Sequence, residues 1–234
     1  IDAIEDVNCD VHFCFGTYIF DSVYIHMRDV LGDSKGFKSN HFGLPIGNGC
    51  RYYLNGSTII SRAPQEDYTN VRNIFDTMLA LGDIEMHDGI LINEGGTYCI
   101  HDEHGSSETP YIHKYYNIIA KYVLTGDDVA GPKPFGCGTG YNASLCFDTC
   151  AFLSESTKDT VFALHGPTGN TDTPVNLNMF VKNCYFEKYS IQVNSSTIVN
   201  SRDNASIVYC GNKHKYTPSF TMFNQVIEYN NSTI

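Results

Sequence analysis

The chain of 234 residues has no run of eighteen apolar residues, so no segment of it reads as a membrane-crossing helix. It is also short of positive charge: 15 Lys and Arg stand against 26 Asp and Glu, for a net charge of -11. A chain without a basic stripe repels nucleic acid phosphates, which removes nucleic acid from the expected partners. The same balance argues against a strongly anionic membrane, although a local basic patch would still serve an anionic polysaccharide. No Cys-x-x-Cys, His-x-x-x-His or His-Glu-x-x-His occurs, so zinc-site spacings are missing and neither a metal nor a cofactor is expected. The run from Gly136 to Gly140 is glycine-rich but lacks the Lys-Ser/Thr and helix of a phosphate loop. Helical periodicity is nearly absent. The exception is 70–81, where Val71, Ile74, Phe75, Met78 and Leu79 fall roughly on one face, predicting one short helix or a loop leading into a strand. The sequence opens on Ile1 with no signal peptide before it, which fits a processed start or one part of a longer chain.

What is present is a folded composition, 42% hydrophobic and 18% charged, at a length that suits a single domain over 1–234. The apolar runs are short, rich in Ile, Val, Tyr and Phe, and bounded by Gly, Asn, Asp, Ser and Pro, which predicts many short strands. In the first ninety residues these strands fall at 11–20, 44–46, 51–54, 57–60 and 83–92. From there, paired strands recur with first members starting near 97, 135, 160, 189 and 205. The uneven spacing suits a coil whose strands keep register while its turns vary. One such coil cannot bury its own apolar face, whereas stacked coils share a continuous core. The expected fold is therefore all-β, a right-handed parallel β-helix, with at most one short helix. Asn and Gly at its corners, as at Asn183, allow tight left-handed bends and side-chain bonding from coil to coil. Nine cysteines sit among apolar neighbours and read as small buried hydrophobes, not a disulfide frame. Unpaired thiols suit synthesis in a reducing cytoplasm. Most of the Asn-x-Ser/Thr triplets at Asn55, Asn142, Asn194, Asn204 and Asn231 are ascribed to chance in an Asn-rich chain.

The runs 47–60 (GNGCRYYLNGSTII), 96–103 (GTYCIHDE) and 180–186 (FVKNCYF) resemble the pectin-lyase-like superfamily, in particular members from gut bacteria and their phages, from about residue 10 onward. The resemblance implies the parallel β-helix, a polysaccharide or surface glycan as partner, and an extracellular or virion-associated location. That superfamily holds lyases, glycoside hydrolases, esterases, tailspikes and non-catalytic adhesins, so fold alone does not settle function.

Alternation within strands orients the candidate site. With Ile100, Leu164 and Val193 inward, His101, His165 and Asn194 each follow the last inward apolar residue and are expected in one external column. The coil of Thr139 lies between the first two, which sets the imidazoles about 10 Å apart along a groove. The catalytic candidates are His101, Asp102, Glu103 and His165, with His as base and a carboxylate as acid or orienter. Hydrolysis would pair Glu103 with Asp102 or Asp148, and a lyase would need a cation such as Arg51, Arg62 or Lys114. Tyr111 and Tyr115, beside Tyr116, are candidates for sugar stacking, with Thr139, Gln192 and Asn194 as further substrate contacts. The structural alternatives are an outward His as a loop clamp, His165 as the start of a turn, Tyr as core packing, and His104 and His113 as surface residues. Two functions follow: a carbohydrate depolymerase, hydrolase or lyase, and a non-catalytic fibre or adhesin domain such as part of a phage tail. A flat apolar face would serve trimer packing, so a homotrimer is among the expected assemblies. The strand-like run ending at Ile234 leaves a coil that more chain, a cap or a partner would cover.

Overall fold

The computed structural model describes residues 9–21, 41–46, 49–62, 71–77, 82–103, 110–127, 133–138, 142–157, 162–165, 176–189, 192–193, 204–220 and 223–234. The strands among them are β1 (Asp10–His12), β2 (Thr17–Asp21), β3 (His41–Pro45), β4 (Arg51–Arg62), β5 (Val71–Asp76), β6 (Ile84–Glu94), β7 (Tyr98–Glu103), β8 (Tyr111–Val123), β9 (Lys133–Gly138), β10 (Ala143–Asp148), β11 (Ala151–Ser154), β12 (Phe162–His165), β13 (Asn176–Lys182), β14 (Tyr185–Tyr189), β15 (Gln192–Val193), β16 (Asn204–Cys210), β17 (Lys213–Tyr216), β18 (Gln225–Tyr229) and β19 (Ser232–Thr233).

Two parallel sheets result. The larger has two strand stacks side by side. The first runs β1, β4, β6, β8, β10, β13, β16, β18, and the second runs β2, β4, β6, β8, β11, β14, β17, β19. The long strands β4, β6 and β8 cross both stacks. The smaller sheet runs β3, β5, β7, β9, β12, β15. The chain alternates between the sheets as far as β15, and the described strands after it, β16 to β19, add to the larger sheet. This is the parallel β-solenoid that the strand pattern predicts, and no helix occurs among the described residues.

Between the two stacks the chain bends at a file of residues with positive φ: Asn55 (54°), Asp88 (57°), Asn117 (51°), Thr149 (58°), Asn183 (54°), Gly211 (68°) and Asn230 (52°). Asn and Asp tolerate the left-handed region because their short polar side chains bond locally. Asn117 Nδ2 donates to Asp88 Oδ1 at 2.9 Å, one coil away. Asn183 Nδ2 donates to Asp148 Oδ1 at 3.2 Å. The corner expected at Asn183 is thus one member of a ladder.

Alternation on either side of the corner fills the core. On β8, residues 111, 113 and 115 point inward before Asn117, and 118, 120 and 122 after it. Phe135 reaches in from β9 and meets Phe147 edge-on at 4.9 Å, while Phe147 stacks on Tyr115 at 5.1 Å and Phe152 on Phe186 at 5.2 Å. Such ring pairs contribute about 0.5–1.5 kcal/mol each beyond the area they bury. Cys99, Cys150 and Cys184 are buried, and their thiols donate to the carbonyls of Lys121, Tyr115 and Lys182. Burial pushes the Cys99 and Cys184 thiols up.

The alternative of a helix over 70–81 is corrected. Residues 71–76 form β5, paired with β3 and β7, and Ile74 and Phe75 are buried. Parallel pairing on both sides overrides a weak 3.6-residue pattern, as tertiary context commonly does. Met78 and Leu79 lie outside the described residues, as does the strand expected at 196–200.

Candidate functional site

Strand β7 carries the predicted centre, and its register places each residue. Ile100 pairs with Phe75 on β5 and Phe135 on β9, so it faces the core. Asp102, two positions on, faces the core as well and is 1% exposed. Its Oδ1 accepts from Thr77 Oγ1 at 3.1 Å and lies 2.9 Å from His113 Nδ1. Its Oδ2 accepts from the Tyr115 hydroxyl at 2.6 Å. His113 Nε2 lies 3.2 Å from the Gly82 carbonyl oxygen, so both ring nitrogens meet acceptors. A carboxylate inside the coil is costly unless donors surround it, and Thr77, His113 and Tyr115 supply them.

His101 points to the other side of β7, as alternation predicts, yet it is 2% exposed. Its Nδ1 lies 3.0 Å from Asp76 Oδ2, which also accepts from Asn73 Nδ2 at 2.8 Å. Its ring stacks on Tyr98 at 5.1 Å with 4° between the planes. Gly136 is level with His101, and the Tyr98 ring occupies the space that a side chain at 136 would need.

These positions correct the expected groove. His101 and Asp102 are sealed within side-chain networks, and Tyr111 and Tyr115 are core residues, not stacking platforms for sugar. His113, expected at the surface, is fully buried. His165 is level with Gly138, which is level with Glu103, so it does not share a column with His101. The residue that does is Gln192, through Ala163 and Gly136. The reason is the inward Asp102. Counting outward positions from the last apolar residue fails on a strand whose last inward residue is polar. Glu103, His165 and Gln192 are placed here by backbone register, and Thr139, Asn194 and His104 lie outside the described residues. Asp148 sits at the corner, accepting from Thr149 and Asn183. The three cations considered for a lyase are on the larger sheet, each against a carboxylate: Arg51 with Asp10, Arg62 with Glu94 and Lys114 with Glu85.

The outer face of the first stack carries two ladders that sequence reading missed. Register aligns Asp10, Arg51, Glu85 and Lys114 in one column, with alternating charge. Arg51 Nε donates to Asp10 at 2.7 Å and Lys114 Nζ to Glu85 at 2.7 Å. The next outward column is His12, Tyr53, His87 and Tyr116, whose rings stack at 4.7, 4.9 and 4.8 Å with 10°, 14° and 19° between planes. The spacing is that of the strands themselves. Burial works against the charged form of Glu85, but hydrogen bonds from Lys114 and His87 outweigh it and hold the carboxyl below its usual value. The Glu85 bond raises Lys114 in turn. A shallow cavity of about 340 Å³ opens beside the ladder, lined by Gly49, Cys50, Arg51, Asp83, Ile84 and Glu85. Aligning β6 and β8 on their corner residues Asp88 and Asn117 would have set Glu85 level with Lys114 and His87 level with Tyr116. Among the described residues no group of three or more His, Cys, Asp or Glu is placed to hold a metal ion.

No protein-family model, curated protein or solved structure matches this chain. The structure shows a parallel β-solenoid, and none of these comparisons links it to the pectin-lyase-like superfamily.

Proposed function

We propose that this chain is a non-catalytic β-solenoid rod that binds a polysaccharide lengthwise along the outer face of its first strand stack, as part of a surface fibre or adhesin. The observation that carries this reading is the burial of His101 and Asp102, at 2% and 1% exposure. A general acid or base must come within hydrogen-bond reach of the proton it moves. Here Asp76 holds the imidazole, and Thr77, His113 and Tyr115 hold the carboxylate. The paired ladders support the binding half of the reading. Their rings already cover one another's faces, so a ligand meets ring edges, Tyr53 and Tyr116, and the charged ends of Arg51 and Lys114. A strip of donors and acceptors at the strand repeat suits an extended, hydroxyl-rich polymer.

The test is size-exclusion chromatography of capsular and pectic polysaccharides before and after incubation, with glycan-array binding in parallel. The expected result is binding without chain shortening, weakened in Arg51→Ala/Lys114→Ala. Shortening that His101→Ala abolishes would make the protein a depolymerase instead. Absence of binding across the array would leave a purely structural rod.

A further inference from the structure

We propose that Cys9 and Cys50 are a redox-responsive pair, closing to a disulfide that staples the first coil of the solenoid to the second. Cys9 immediately precedes β1, and Arg51 N donates to its carbonyl oxygen at 2.9 Å. Because Asp10 is level with Arg51, Cys9 lies opposite Cys50 on the neighbouring coil. Neighbouring strands are about 4.8 Å apart, within the roughly 4.4–6.8 Å that a disulfide spans between Cα atoms. The two Sγ atoms are 2.9 Å apart, so bond formation at about 2.05 Å needs a movement of only about 0.9 Å. Cys150 and Cys184 also lie opposite one another on adjacent coils, but both are buried in the core, whereas Cys9 is partly exposed.

Access is built in. Cys9 is only partly buried, and Cys50 forms part of the wall of the 340 Å³ cavity. A low-molecular-weight disulfide supplies the oxidant. The Cys9 thiolate attacks it, giving a mixed disulfide and releasing one small thiol. Cys50, losing its proton, then displaces the second small thiol. Two protein thiols are oxidised to one disulfide, and the small disulfide is reduced to two thiols. The bridge would join residues 41 apart, a long closure of the kind that constrains the unfolded chain most. It also acts where it is needed, because β1 and β2 pair with β4 alone among the described strands.

The proposal is independent of glycan binding, and its test uses the full folded chain. The folded protein is incubated with excess oxidised glutathione and quenched with acid, residual thiols are alkylated under denaturing conditions, and a non-reducing digest is read by mass spectrometry. The expected result is a Cys9–Cys50 linked peptide, alkylation of the other seven of the nine cysteines, and a higher Tm than the reduced protein. Cys9→Ser should lose the link and make Tm independent of oxidant, whereas Cys14→Ser, at an exposed neighbour, should retain both. Nine alkylated cysteines, a link from Cys9 to Cys14 or any other partner, or a linked protein with unchanged Tm would each overturn it.

Discussion

Replacing Asp102 with alanine removes the acceptor on which Thr77, His113 and Tyr115 converge, at contacts of 3.1, 2.9 and 2.6 Å. The three donors stay where they are, inside the solenoid. A buried donor left unmade costs about 1–3 kcal/mol, and three donors lose their acceptor here. These overlap in one network and do not simply add, so the expected loss is about 4 kcal/mol. In a chain of this size each kcal/mol moves Tm by about 2–4 °C, giving a fall on the order of 8–16 °C. Tyr115→Phe takes away one donor and leaves the carboxylate its others, so it should cost about 1 kcal/mol. His87→Ala, on the partly exposed outer ladder, should stay within about 1 kcal/mol of the parent. The assay is equilibrium urea unfolding followed by circular dichroism, reading the midpoint and confirming that the slope is unchanged. If Asp102→Ala lies within 1 kcal/mol of the parent, the carboxylate is not what holds β7 to β8.

Three further outcomes follow from the same geometry. Asn117→Ala places a Cβ-bearing residue without a local bond at φ 51° and removes the link to Asp88, for a loss of about 1–2 kcal/mol; Asn117→Gly, free of the conformational cost, should lose less in the same urea titration. Gly136→Ala sets a Cβ 2.5 Å from the Tyr98 ring, so it should displace that ring from His101 and cost about 1–3 kcal/mol, seen as a lower Tm and a shifted His101 imidazole resonance by NMR. Glu85 has a folded-state pKa below its ordinary value of 4.5, so its contribution is present above that value and lost as pH falls through the folded one. Tm of the parent should therefore drop more steeply than that of Glu85→Gln on acidification from about pH 5 to pH 3, and parallel curves would refute the Lys114–Glu85 contact.

Most of the fold was legible because its signals are local. Val, Ile, Tyr and Phe in short runs between turn residues gave the strands, and Asn183 marked a corner. What escaped lacked an apolar signature or depended on pairing. β17, with the sequence KHKY, and β19, with ST, are strands only because β14 and β17 hydrogen-bond them. The stretch at 71–76 has helical spacing but sits between two strands. The external column through His101 was misread for a single physical reason. Asp102 is a charged residue at an inward position, satisfied by donors 25, 11 and 13 residues away in sequence. Nothing in the run YCIHDE announces those partners. The outer ladders required register across four strands, and the irregularity in β4 hides that register.

That irregularity carries a rule about length. Between the paired positions Tyr53 and Ser57, β4 has three residues, where β6 has the single Asp88 between His87 and Gly89. The surplus is two, and two is the number that keeps inside and outside in phase. Tyr53 and His87 stay outward while Ser57 and Gly89 both face in, and the Leu54 side chain fills the space that Gly89 leaves. Asn55 and Gly56 are pushed outward, exposed and left-handed. The corner thus accommodates two surplus residues with the pairing restored on both sides, so a short exposed loop can be grafted here as a pair of residues without disturbing the layers above and below.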